Sequence, residues 1–283
     1  MPGVTAPDPA WPSIARPQRG PWLQLLSPQG FEFNRIELPV PGWPASMDGL
    51  RVLHLSDTHL TGRWFTAYDR LIEQVHEARP DVVCFTGDLV DDRWNPEPAF
   101  AVAERFTRSI RGRLGTLAVI GNHDGDLLAP RVVEWGWTLL HPGVANLGAG
   151  DGSAVEFVGL PCVARRDVHP RLLRRLPPAR SDVPRVLLSH YPDHLLAAAR
   201  AVRADVILAG HTHAGQVCLP GGMPIITHDR LPRSMSSGLH RVDGAWLLIS
   251  RGFGFATYPV RLFAPAEVVL LTLRAASRSA IER

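Results

Sequence analysis

Five short segments of this chain put carboxylates, an amide and imidazoles at spacings that suit cation binding. Asp57 and His59 form a D-x-H pair, and Asp88 and Asp91 lie in G-D-L-V-D. Asn122, His123 and Asp124 follow Gly121, His190 stands in L-S-H-Y, and His211 and His213 form H-x-H. Alternate residues of an extended segment point the same way, so each such pair can grip one ion or straddle two. Two aspartates, one asparagine and four or five histidines make a mixed oxygen and imidazole set, which suits manganese, iron or zinc and disfavours calcium. Seven ligands are too many for one tetrahedral ion but suit two divalent ions sharing a carboxylate.

Each segment follows a short apolar run that reads as a buried strand: residues 52–55, 82–85, 117–120, 186–188 and 206–209. Between them, residues 66–80, 96–115 and 193–205 carry apolar side chains at helical spacing. Strand and helix in alternation predict an α/β domain, and in an open α/β sheet the C-terminal strand ends are where ligand crevices form. Strand-like runs at 245–249 and 268–273 follow, while residues 63–66, 127–137 and 221–237 read as linkers. Ten of the 26 prolines fall in the first 44 residues, which predicts an N-terminal arm over 1–30 and a single domain over 31–283. Trp11, Trp22, Leu23, Leu25 and Leu26 in that arm are either a strap onto the body or a patch that touches a membrane or partner.

Composition removes several classes of function. The 283 residues are 45 % hydrophobic and 20 % charged, a globular balance. All 30 basic residues are arginine, so Schiff-base lysine chemistry and the P-loop are excluded. A net charge of +3 offers little for nucleic acid. Cys84, Cys162 and Cys218 form no CxxC pair, and no apolar run reaches the roughly 20 residues that span a bilayer. With no apolar export segment near the N-terminus, a cytoplasmic location is expected, with peripheral membrane contact through the arm.

The ordered motifs D-x-H, G-D-x-V-D, G-N-H-D, a lone strand-end histidine and G-H-T-H resemble the calcineurin-like metallophosphoesterase superfamily, over residues 31–273. The segments LSHYPD, GHTHAGQ and ISRGFGF are similar to a bacterial branch of membrane-associated or exported phosphoesterases that includes UDP-2,3-diacylglucosamine pyrophosphatase-like members. The resemblance implies a four-layer αββα sandwich of two mixed sheets flanked by helices, with the metal site at the C-terminal strand ends. It implies that Asp57, His59, Asp88 and His213 hold one metal and that Asp88, Asn122, His190 and His211 hold the second. It also implies hydrolysis of phosphodiester or pyrophosphate bonds by a hydroxide held between the metals. His123 then faces the phosphate and the leaving oxygen, oriented by Asp91 or, alternatively, Asp124. Outside these motifs, Arg251 just after a strand reads either as a substrate-phosphate contact or as structural, and Arg165 and Arg166 read either as a basic patch for a headgroup or nucleotide or as a solvated helix face. The expected partner is a small-molecule or lipid-linked phosphate ester. The competing readings are a non-catalytic scaffold of the same fold and a nuclease of the same superfamily.

Overall fold

A computed structural model describes residues 4–5, 17–162, 178–180, 182–193, 202–227 and 231–277. Two large mixed sheets organise them. In the first, strands run in the order Phe31–Pro41, Ala266–Ala276, Leu50–Leu55, Val82–Thr86, Gly115–Val119 and Thr138–Leu139. The last four are mutually parallel, and Ala266–Ala276 joins them antiparallel along Leu50–Leu55. In the second, Ala154–Gly159, Arg185–Ser189, Val206–Ala209 and Ala245–Ile249 are parallel. Gly143–Gly148 lies antiparallel at one side of these and Gly238–Val242 antiparallel at the other, where Val4–Thr5 pairs antiparallel with Gly238–Val242.

The two-residue period of a strand explains how the layers form. Val52, Cys84 and Leu117 turn to one face and meet Val186, Leu188, Val206 and Leu208 of the other sheet, making the core between the sheets. Leu53, Leu55, Val83 and Phe85 turn to the opposite face and pack on Leu71 and Val75 of helix Thr66–Ala78 and Phe106 of helix Phe100–Ser109. Leu187, Ile207 and Leu247 face outward from the second sheet, against Val202, Leu231 and Met235. Most of the helix expected over 193–205 lies outside the described residues, as do Trp11, Arg165 and Arg166.

One feature departs from the linear reading. Residues 127–137, read as a linker, include most of helix Gly125–Glu134, which accommodates Pro130 and buries Leu128 and Val132. The N-terminal segment is bound to the body from residue 17 onward, because the buried Glu32 carboxylate accepts the amides of Gln18, Arg19 and Gly20. Leu23–Leu25 also pairs with Val260–Leu262 in a short ribbon.

Candidate metal centre

The parallel strands of both sheets end together, and the residues that follow them turn sharply. Asp57, His59, Asp88, His211 and His213 all have positive φ, between 43° and 72°. This is a region that non-glycine side chains seldom occupy and that costs of order 1 kcal/mol or more at each position. Such strain concentrated on five polar residues at one sheet edge marks a site held for function. Glycine allows the closest approaches: a Cβ at Gly121 would collide with the Asp88 carboxylate, and one at Gly210 with Ser56 and Asp57.

Besides the partly buried group of His59, Asp91 and His123, the side chains meet in two overlapping and fully buried groups, Asp57 with His59 and His213, and Asp57 with Asp88 and His190. The Asp88 Oδ2 atom stands between them, 3.6 Å from His59 Nε2 and 3.3 Å from His190 Nε2. Asn122 Oδ1 lies 2.9 Å from the same His190 nitrogen, and His213 Nε2 lies 3.4 Å from Asp57 Oδ1. The His211 amide donates to both Asp57 oxygens, and its ring packs 5.1 Å from that of His190 and 4.3 Å from that of Tyr191.

Hydrogen bonds set which ring nitrogens face inward. His190 Nδ1 donates to the Thr86 carbonyl at 2.8 Å, and His59 Nδ1 donates to the Asp91 carboxylate at 3.1 Å. Both rings therefore turn Nε2 toward Asp88, the orientation that outer hydrogen bonds give to metal-binding histidines. At His213, Arg261 Nη2 donates to Nδ1 at 3.1 Å, so the Nε2 proton points toward Asp57 and His59, and a cation must displace it. Burial alone would raise the Asp57 and Asp88 carboxyls, but His213 beside Asp57 and His190 beside Asp88 outweigh it and hold both below the usual carboxylate range. Burial pushes His211 down to about 3 and His213 to about 4. His190 rises to about 9, because Asp88 outweighs its desolvation. Two ionised carboxylates and imidazoles whose Nε2 atoms face inward, and which give up any proton there as a cation binds, with no thiolate among them, fit divalent cations that accept oxygen and nitrogen ligands.

Around this centre, three expected roles change. Asp91 was to orient His123 through its carboxylate, but that carboxylate lies on His59, and only the Asp91 carbonyl reaches His123 Nδ1, at 2.6 Å. Asp124, the alternative, is fully buried and turned away from His123. It accepts the amides of Asp88, Leu89, Val90 and Gly121 at 2.6–3.2 Å, clamping the turn that presents Asp88. Arg251 is no substrate contact: its fully buried guanidinium lies 2.5 Å from Glu32 and 2.9 Å from Glu267, and also donates to the Pro265 carbonyl. Removing one partner of a buried ion pair costs about 3–5 kcal/mol, so its work is in folding. His54 is structural, donating from Nε2 to Thr86 Oγ1 at 2.9 Å.

Arg261 was missed in the linear reading. No motif marks it, and it reaches His213 only because Val260–Leu262 runs beside the G-H-T-H loop, where Leu262 donates to the Gln216 carbonyl.

Comparison with known proteins agrees with this geometry. The calcineurin-like phosphoesterase family model matches residues 50–215, which contain all seven proposed ligands and His123. The chain is 29 % identical over 262 residues to the uncharacterized metallophosphoesterase YkuE of Bacillus subtilis, covering 89 % of each. It is 31 % identical over 266 residues to a bovine protein named transmembrane protein with metallophosphoesterase domain, covering 85 % of this chain and only 56 % of that one. Among solved structures, the NAD nucleotidase of Haemophilus influenzae aligns with a TM-score of 0.45 at 12 % identity, covering 75 % of this chain and 48 % of that chain.

Proposed function

Because this chain belongs to the calcineurin-like phosphoesterase family, whose members are metal-dependent phosphoesterases, we propose that it hydrolyses phosphodiester or pyrophosphate bonds with two divalent cations, manganese foremost. The observation that carries this reading is the Asp88 carboxylate facing His59 on one side and His190 on the other. Asp57, His59, Asp88 and His213 would hold one cation, and Asp88, Asn122, His190 and His211 the other. When bound, such ions lower the pKa of water toward 7 and neutralise phosphate oxygens.

The chain's own contribution beyond the ligands centres on His123. Its amide is held by Asp88 Oδ1 at 2.8 Å and its Nδ1–H by the Asp91 carbonyl, so Nε2 is the atom that can carry a proton to a leaving oxygen. Asn122, His123 and His211 are half-buried where the other ligands are buried, which opens the site on their side.

Charge supports this choice of bond. A monoester dianion needs more positive charge than a diester monoanion, and Arg251 and Arg261, which lie beside the centre, are engaged elsewhere. Arg251 is paired with glutamates, and Arg261 donates to the carbonyls of Arg251, Gly254 and Ala264 as well as to His213. With Mn²⁺ supplied, bis(p-nitrophenyl) phosphate is expected to be cleaved with a kcat/KM about tenfold or more above that for p-nitrophenyl phosphate, a difference of roughly 1.4 kcal/mol in the barrier, and EDTA is expected to abolish both. A preference for the monoester would overturn the bond assignment.

A further inference from the structure

Among the described residues, most of the large exposed apolar side chains lie on two adjoining ribbons next to the loop that follows His213. The ribbon of Leu23–Leu25 and Val260–Leu262 carries exposed Leu23, Leu25 and Leu26, with Tyr258 at its approach. The neighbouring ribbon of Cys218–Leu219 and Met223–Pro224 continues into exposed Ile225 and Ile226. The two ribbons are joined by the Val217–Leu262 bridge, and Gly222 packs on Pro17. Leu26, Tyr258 and Ile226 are 79 %, 65 % and 64 % exposed, far above what scattered surface residues need for packing.

The charges around this surface say what it fits. Residues 20–31, 214–226 and 253–260 contain no Asp, Glu, Lys or Arg. Two exposed arginines border residues 20–31: Arg19, and Arg70, whose guanidinium rests on the Gln29 carbonyl. Of the acids close by, Glu32 is buried under the amides of residues 18–20, and Asp69 is occupied by Arg105 and Trp64. Leucine and isoleucine on two adjoining ribbons, tyrosine at the rim and arginine beyond it match the layering of a bilayer interface with anionic headgroups. We propose that this platform docks the protein on an anionic membrane surface.

The platform is continuous with the catalytic loop. Gln216, three residues after His213, donates to the carbonyls of Ala256 and Tyr258 and accepts the Ala256 amide, while Gly215 packs on Ile226 and Pro224. Docking therefore brings the loop of His211 and His213 next to the lipid, where a phosphoester embedded in the bilayer would meet it. That consequence rests on the phosphoesterase reading. The docking does not, and its test is read without hydrolysis.

The test is co-sedimentation of the full chain with mixed phosphatidylcholine–phosphatidylglycerol vesicles. Wild type is expected to pellet with them, less so as salt is raised. The double variant Leu26→Asp/Ile226→Asp, with its thermal midpoint checked by circular dichroism, is expected to partition about tenfold or more weakly. Arg19→Gln/Arg70→Gln, which leaves the apolar surface intact, is expected to lose binding in proportion to the anionic lipid content. Equal pelleting by the wild type and the double aspartate variant would overturn the proposal. So would an absence of wild-type binding, and so would a dimer seen by light scattering that the aspartates break while vesicles are ignored, the sign that a second copy covers this face.

Discussion

Asp88→Asn is expected to lower Mn²⁺-dependent hydrolysis of bis(p-nitrophenyl) phosphate by about a thousandfold or more, in kcat rather than in KM alone. Asp88 has one oxygen facing both His59 and His190, and its second oxygen holds the His123 amide. An amide at this position keeps the shape but loses the negative charge. A loss of several kcal/mol of charge stabilisation, at about 1.4 kcal/mol per factor of ten, gives that scale. The fold should survive, because the turn is clamped by Asp124 through backbone amides that the substitution leaves untouched. Steady-state kinetics beside a thermal melt separates the two, and near-wild-type activity in a folded Asp88→Asn would remove Asp88 from its central place.

His123→Ala has a different signature. A positioned general acid contributes typically 10²- to 10⁴-fold, and its value depends on how much the leaving oxygen needs a proton. p-Nitrophenolate leaves readily without one, whereas an alkoxide does not. The variant is therefore expected to lose about a hundredfold or more on an alkyl phosphodiester and distinctly less on bis(p-nitrophenyl) phosphate, with bound manganese unchanged. Equal losses on the two substrates would mean that His123 stabilises the phosphate and does not protonate the leaving group. The geometry favours proton delivery, because the Asp91 carbonyl can only accept and so fixes the proton of a neutral ring on Nδ1, leaving Nε2 to cycle.

The gathering of these polar residues at one edge was legible in sequence because they sit directly after buried strands, and such strands announce themselves by short runs rich in β-branched residues and leucine. Residues 52–55 and 206–209 are cases in point, and the strands formed there deliver Asp57 and His211 to the same edge. What was not legible depends on contacts between distant segments. The family resemblance implies that the Asp91 carboxylate orients His123, but the loop geometry gives the carboxylate to His59 and the carbonyl to His123. Arg251 follows a strand end just as the ligands do, yet Glu32 and Glu267, on strands at the far ends of the chain, draw it into the interior. Helix Gly125–Glu134 was hidden by Pro130, whose breaking signal is strong locally and is overridden by the burial of Leu128 and Val132.

The apolar residues before Phe31 carried two readings, strap and surface patch, and the structure contains features of each. Leu23–Leu25 is strapped by its ribbon to Val260–Leu262, while Leu23, Leu25 and Leu26 remain exposed. No helix among the described residues is long and apolar enough to cross a membrane.

Metal content measured on the purified chain bears most directly on the central claim. After dialysis against Mn²⁺ and removal of free ion, elemental analysis is expected to find about two manganese ions per chain, the number that bridged hydrolytic centres hold. Asp88→Asn is expected to retain distinctly fewer. A folded wild-type chain that holds none would contradict the account and leave the buried aspartates and histidines without the role assigned to them.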